Sequence, residues 1–292
     1  MFAATRVTPH HNPNSGEDEL MNTAPDETAD AILRILGHVD PPEDLYSASG
    51  SRLYDQITAN DLTELPEILA AARKTSGPIL ELASGSGRIT RPLLSLGRPL
   101  TAVDSSPEML AMLKEKVATK TFNPRDVQVE LVEADMSRFD VDGVYGCVVL
   151  GASSITLLDP AGRWELFRRV RQCLAADGQF LLTVLNADNH QAPVSNDGRC
   201  TVSALGENSF LITAEGWDPA NGARHVTMID VSFGVDGTYR SSAYASDVAF
   251  LSNSILEEEI VAEGLTILER RPVRIASPSP GLNDVELWVC GK

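Results

Sequence analysis

The chain is poor in cysteine, in basic charge and in long apolar runs, and each shortage excludes something. Of its 292 residues four are cysteine (Cys147, Cys173, Cys200 and Cys290), and no two stand as a CxxC pair. That spacing argues against a zinc site or a disulfide framework, so four structural thiols and no metal are expected. No apolar stretch approaches the roughly 20 residues of a membrane-spanning helix. The opening residues carry no apolar signal-peptide core, and the expected compartment is the cytoplasm. Lys and Arg number 24 against 41 Asp and Glu, for a formal net charge of −17. Such a surface repels phosphate backbones, which makes nucleic acid a poor partner and favours a neutral or cationic substrate. The phosphate-cradling G-x-x-x-x-G-K-[ST] loop is missing as well.

What is present centres on Pro78 to Asp104, PILELASGSGRITRPLLSLGRPLTAVD. Ile79, Leu80 and Leu82 form a short apolar run broken at once by small residues, the pattern of a buried strand entering a tight turn. Gly85 and Gly87 lack a Cβ, so a ligand can lie against their backbone, with a helix expected to start near Gly87 and point its N–H groups at that ligand. Leu100 to Val103 read as a second buried strand ending in Asp104. Strand, helix and strand in this length make a right-handed βαβ unit with Asp104 beside the glycine turn, where a carboxylate can accept both hydroxyls of a ribose. A dinucleotide fingerprint would need a closing Gly or Ala, but the sixth position from Gly85 is Thr90.

This array resembles the first motif of the class I S-adenosylmethionine-dependent methyltransferases. It has an acid ending the strand (Glu81), small residues, the turn (Gly85, Gly87), and an acid ending the second strand (Asp104). One position departs, since Ala83 stands where the family usually has its first glycine. The likeness continues in D-x-S-P-x-M-L, Asp104 to Leu110, where Ser106 can cap a helix and Pro107 suits its first turn. The resemblance implies S-adenosylmethionine as cofactor, with Ser105 and Met109 bordering the ribose. It also implies that Asp135, after a strand over Val127 to Val132, accepts from the adenine amine while the Met136 N–H meets a ring nitrogen. After a fourth strand, Cys147 to Leu150, the small residues Gly151, Ala152, Ser153 and Ser154 would face the methyl group and the acceptor. Ser153, Ser154 or Thr156 would orient a polar group there. The acidic Asn/Asp-Pro-Pro-Tyr motif of some N-methyltransferases is absent. An N-terminal segment with Tyr46 and Tyr54, ahead of a helix ending near Lys74, would fold over the cofactor, with Tyr54 reaching the reaction centre.

The expected organisation is a disordered tail over 1–25, which holds His10 and His11, and a helical segment over 26–77. A cofactor-binding core over 78–186, an antiparallel cap over 187–250 and the end of the core sheet over 251–292 follow. The fold class is α/β: a Rossmann-like, seven-stranded, doubly wound sheet with helices on both faces and an antiparallel β insertion after the fifth strand, Phe180 to Leu185. Asp159 and Pro160 open a helix with Trp164, Phe167, Val170 and Leu174 inward, Gly178 stopping it, and Arg163, Arg168, Arg169 and Arg171 on a solvated face. In the insertion Trp217, His225, Arg240 and Tyr244 are candidates to line a substrate pocket.

The expected activity is methyl transfer to an amine nitrogen of a small molecule or modified peptide, because an ammonium is drawn to an acidic surface. A looser likeness, to methyltransferases encoded with ribosomal peptides of the daptide type, points to a terminal amine. Methyl transfer to oxygen of a small natural product is the nearest rival. A nicotinamide oxidoreductase and a non-catalytic cofactor-binding module are further alternatives.

Overall fold

A computed structural model describes residues 25–185, 199–218, 222–274 and 285–292. The tail that holds His10 and His11 falls outside them. The main sheet has seven strands: β2 (Ile79–Leu82), β3 (Leu100–Asp104), β4 (Val129–Glu133), β5 (Tyr145–Leu150), β6 (Leu174–Leu185), β11 (Thr266–Pro272) and β12 (Val285–Gly291). Their order is β11-β12-β6-β5-β2-β3-β4. The pairs β5–β6, β2–β5, β2–β3 and β3–β4 are parallel, and only β12 runs against its neighbours. The reversal of strand order between β3 and β5 leaves a crevice at the carboxyl end of β2, where ligands sit in open α/β sheets.

Alternation along the central strands explains the two cores. Leu80, Leu82, Val148 and Leu150 join the cluster on one face with Phe167 and Trp288, while Ile79, Cys147 and Val149 join the other with Ile68 and Leu93. Both faces are covered, which is why these strands read as continuous apolar runs. Helix α5 (Pro107–Val117) starts where Ser106 Oγ accepts from Met109 N at 3.3 Å, and α6 (Pro160–Cys173) where Asp159 Oδ1 accepts from Gly162 N at 2.7 Å. The helix after the glycine turn, α4 (Thr90–Leu94), begins three residues beyond Gly87 because the turn is longer than expected.

Three expectations around α6 fail. It ends at Cys173 and β6 begins at once, so Gly178 lies inside a strand, at a register irregularity against β5. Trp164 is 49% exposed rather than buried, with the Arg168 guanidinium 5.5 Å from its ring centroid. Arg163 is 5% exposed rather than solvated: Nε and Nη2 each donate to Glu259 at 2.7 Å, and Nη1 donates to Leu158 O at 2.8 Å. Glu259 lies on α7 (Asn253–Ala262), so α6 is placed by a partner 96 residues away.

The insertion is an antiparallel sheet of β7 (Arg199–Gly206), β8 (Ser209–Asp218), β9 (Ala223–Phe233) and β10 (Tyr239–Ala249). It gains a fifth strand from near the other end of the chain, since β1 (Glu43–Asp44) pairs parallel with Tyr244 and Ala245. Helix α1 (Pro25–Ile35) packs on this cap sheet through Leu33, against Ile229, Val231 and Ala243. The expected helix ending near Lys74 is α3 (Leu65–Ala72), and the segment ahead of it carries a further helix, α2 (Ala48–Thr58), to which Tyr54 belongs. Leu53 of α2 packs with Leu45, Leu211 and Tyr244, so the N-terminal segment and the cap share a core.

Candidate active site

Two cavities open at the carboxyl ends of β2 to β5. The smaller, about 160 Å³, is lined by the glycine turn and by the strand tips that follow it, including Ala83, Gly85, Asp104, Ser105, Met109, Asp135 and Met136. Asp104 Oδ2 accepts from Gly85 N at 2.7 Å and Oδ1 accepts from Ser106 N at 2.9 Å. Burial pushes its carboxyl up from the ordinary range, and those N–H groups pull the other way. The carboxylate therefore pins the turn while facing the cavity. Asp135 Oδ1 accepts from both the N–H and the Oγ of Ser137 at 2.6 Å.

Backbone conformation keeps this pocket open. Ala83 holds φ 50° and Gly85 φ 54°. The left-handed region costs a residue with a Cβ about 1 kcal/mol, so Ala83 is tolerated where a glycine would be free. Ser84 Oγ is buried on the wall with no hydrogen-bond partner among the described residues. A cavity with a carboxylate, an unpartnered hydroxyl and bare turn backbone fits a nucleoside-bearing ligand with hydroxyl and amino groups.

Three expected contacts lie behind the wall rather than on it. Glu81 is 1% exposed, and its carboxyl is pushed up to about 8, first by burial, with Thr90 and Arg88 opposing. Gly87, at φ 101°, has no room for a Cβ, which would meet Leu113 Cδ1 at 2.6 Å and Phe122 Cζ at 2.9 Å. A Cβ on Gly151 would meet Ile89 Cδ1 at 2.1 Å.

The larger cavity, about 440 Å³, adjoins the first, and Tyr46, Tyr54, Thr58, Arg88, Ala152, Ser154 and Leu157 line both. Ser153 and Thr156 line the larger alone. The rings of Tyr46 and Tyr54 lie 5.7 Å apart and inclined at 56°. Burial raises both phenols above their ordinary range, so both keep their protons near neutral pH and act as hydrogen-bonding groups rather than phenolates. The turn after β5 is tightly held: Ala152 has φ 55° and Ser153 φ 53°, and Ser153 N donates to Thr183 Oγ1 at 3.2 Å.

Glu64, Asp61, Arg88 and Arg224 on this wall escaped the sequence reading. Glu64 and Asp61 lie ahead of the Leu-Pro start of α3, and no local spacing links them to Arg88. Of the cap candidates, His225 turns away to Asp247 at 2.5 Å, Arg240 is exposed, and Tyr244 is buried with Leu45 and Leu53. Trp217 pairs with Arg224 by backbone register, and its side chain lies outside those described. Arg224 and Val248 are the cap's contributions to the wall. Among the described residues no group of three or more His, Cys, Asp or Glu is placed to hold a metal ion.

Comparison with known proteins agrees with this geometry. Residues 79–178 match the methyltransferase domain family. An rRNA adenine N-6-methyltransferase of Corynebacterium diphtheriae is 32% identical over 84 residues, 29% of this chain and 30% of that protein. The chain spans less than half the length of the curated relatives it matches. The CcbJ methyltransferase of Streptomyces caelestis has the same fold, with TM-score 0.68 at 22% identity over 86% of this chain and 99% of that one. The glycopeptide N-methyltransferase MtfA, solved with S-adenosyl-L-methionine, is 26% identical with TM-score 0.55 over 90% of this chain and 96% of its own. Residues 79–178 are thus a match to a methyltransferase domain, carried in the fold of solved S-adenosylmethionine-dependent methyltransferases. Its cofactor is S-adenosylmethionine.

Proposed function

We infer that the protein methylates an amine nitrogen of a small molecule or modified peptide, a class that includes an amine-bearing peptide of ribosomal origin. The observation that carries this reading is the pair of adjoining cavities. One fits the nucleoside part of the cofactor, and the other, beyond Tyr54 and Ser154, carries the carboxylates of Asp61 and Glu64. The likeness to MtfA, named as a glycopeptide N-methyltransferase, supports the choice of nitrogen.

The cofactor supplies a methyl group already activated on a positively charged sulfur. What remains for the protein is placement and the exclusion of water, and orientation is worth roughly 7–11 kcal/mol of a barrier. Asp104 and the Gly85 backbone hold the nucleoside end. Tyr54 and Ser154 present hydroxyls at the boundary of the two cavities and orient the acceptor nitrogen. An alkylammonium with a pKa near 10 must lose a proton before it attacks. Tyr54 stays protonated and is not the base. The proton passes to solvent water before the nitrogen attacks.

The test is incubation with methyl-labelled cofactor and a panel of primary amines, phenols and alcohols of matched size. Label on amine nitrogen is the expected outcome. Label confined to hydroxyl groups would replace this reading with oxygen methylation.

A further inference from the structure

The buried carboxylate of Glu64 lies outside both runs of small residues, yet it lines the larger cavity and bonds to residues that line both. It is 2% exposed and holds φ 63°, a left-handed backbone that a residue with a Cβ keeps only where its surroundings enforce it. Its Oε1 accepts from Ala152 N at 2.9 Å and from Arg88 Nη2 at 2.5 Å. Ala152 and Arg88 are both wall residues of both cavities. Arg88 also donates from Nη1 to Thr63 O at 3.2 Å and lies 3.5 Å from Asp61 Oδ2. One carboxylate oxygen thus fixes the strained turn after β5 on the acceptor side and the guanidinium that follows the glycine turn on the cofactor side.

The charges matter as much as the contacts. Arg88 brings one positive charge to the cluster and Glu64 and Asp61 two negative ones, a net of minus one, while the other cation of the wall, Arg224, is paired with Glu215 at 3.3 Å. Without Glu64 a largely buried guanidinium, 14% exposed, would face the cavities with only the more distant, solvent-exposed Asp61 against it. In a site screened from water such a charge acts over several ångströms.

Resting on the methyl-transfer reading of the site, we propose that Glu64 is a positioning residue that keeps Arg88 neutralised, so that the wall favours the cationic sulfonium form of the cofactor over its neutral demethylated product. The consequence is easier exchange of spent cofactor, because the attraction that helps hold the sulfonium disappears once the methyl group has left.

The test is calorimetric and needs no acceptor. S-adenosylmethionine and sinefungin are cationic at the position of the transferable group, the second through a primary amine, whereas S-adenosylhomocysteine is neutral there. In Glu64→Gln the side-chain oxygen still accepts from Ala152 N, but the negative charge is gone. The expected result is a loss of about tenfold in affinity for both cationic ligands, with S-adenosylhomocysteine changed by less than about threefold. Asp61→Asn, at a more exposed site that folding tolerates, should shift the same ratio in the same direction by about threefold. Equal losses for all three ligands would mean that Glu64 only supports the fold, and unchanged ratios in both variants would overturn the charge argument. If the wild-type protein bound none of the three, the cofactor assignment itself would fall, a result separable from failure of the ratio alone.

Discussion

Two carboxylates on neighbouring strands, Asp104 and Glu81, have opposite fates that a sequence does not separate. Asp104 ends its strand at a cavity and receives two backbone N–H groups. Hydrogen bonds to a charged group are worth about 1.5–3 kcal/mol, so Asp104→Ala should weaken S-adenosylhomocysteine binding by about 10- to 100-fold, measured by calorimetry. Glu81 is sealed within the sheet, and burial raises its carboxyl to about 8. A folded-state pKa above the unfolded one means that the folded protein binds the extra proton between about pH 4.5 and 8. Over that window the Glu81 contribution to stability falls as pH rises. The melting temperature of Glu81→Gln relative to wild type should therefore climb from pH 5 to pH 8.5, and a flat difference would show that Glu81 ionises in place at no cost.

At the scale of elements, the βαβ rhythm was plain in the sequence because parallel strands buried on both faces need runs such as Cys147 to Leu150, and turns need glycine. The four hairpin strands of the cap announced themselves by alternation for the same local reason. What could not be read was any pairing across long separations. Nothing near Glu43 and Asp44 says that they extend the cap beside Tyr244 and Ala245. Arg163 belongs to a run of arginines that reads as a solvated face, and only the arrival of α7 turns it inward. Likewise the site residues within motifs were legible, whereas Glu64 was not, because its partners Arg88 and Ala152 are 24 and 88 residues away. The Arg163–Glu259 pair makes a prediction for the α6–α7 packing. Breaking a buried ion pair costs about 3–5 kcal/mol, and Glu259 is 22% exposed, so Glu259→Gln should cost about 3 kcal/mol by urea denaturation. A change under about 0.5 kcal/mol, usual for an exposed substitution, would put the pair among ordinary surface contacts.

At the scale of the whole molecule, the N-terminal segment and the cap form one body through β1, the Leu53–Leu211–Tyr244 cluster and α1. That body supplies Tyr46 and Tyr54 to both cavities and Arg224 and Val248 to the larger one, so the same structure walls both. Access to it is governed by the long-range field of a chain with net charge −17. Such a field raises the encounter rate of cations and is screened by salt. From about 0.1 M to 1 M the Debye length shrinks from about 10 Å to about 3 Å, which leaves only contacts at the wall itself. For an acceptor that arrives as an ammonium, kcat/KM should therefore fall severalfold across that range while kcat at saturation stays nearly constant, because steering acts on encounter and not on the bound complex. A neutral phenol of the same size should show a flat profile. Equal salt dependence for the two would mean that the acidic surface plays no part in choosing a charged acceptor over a neutral one.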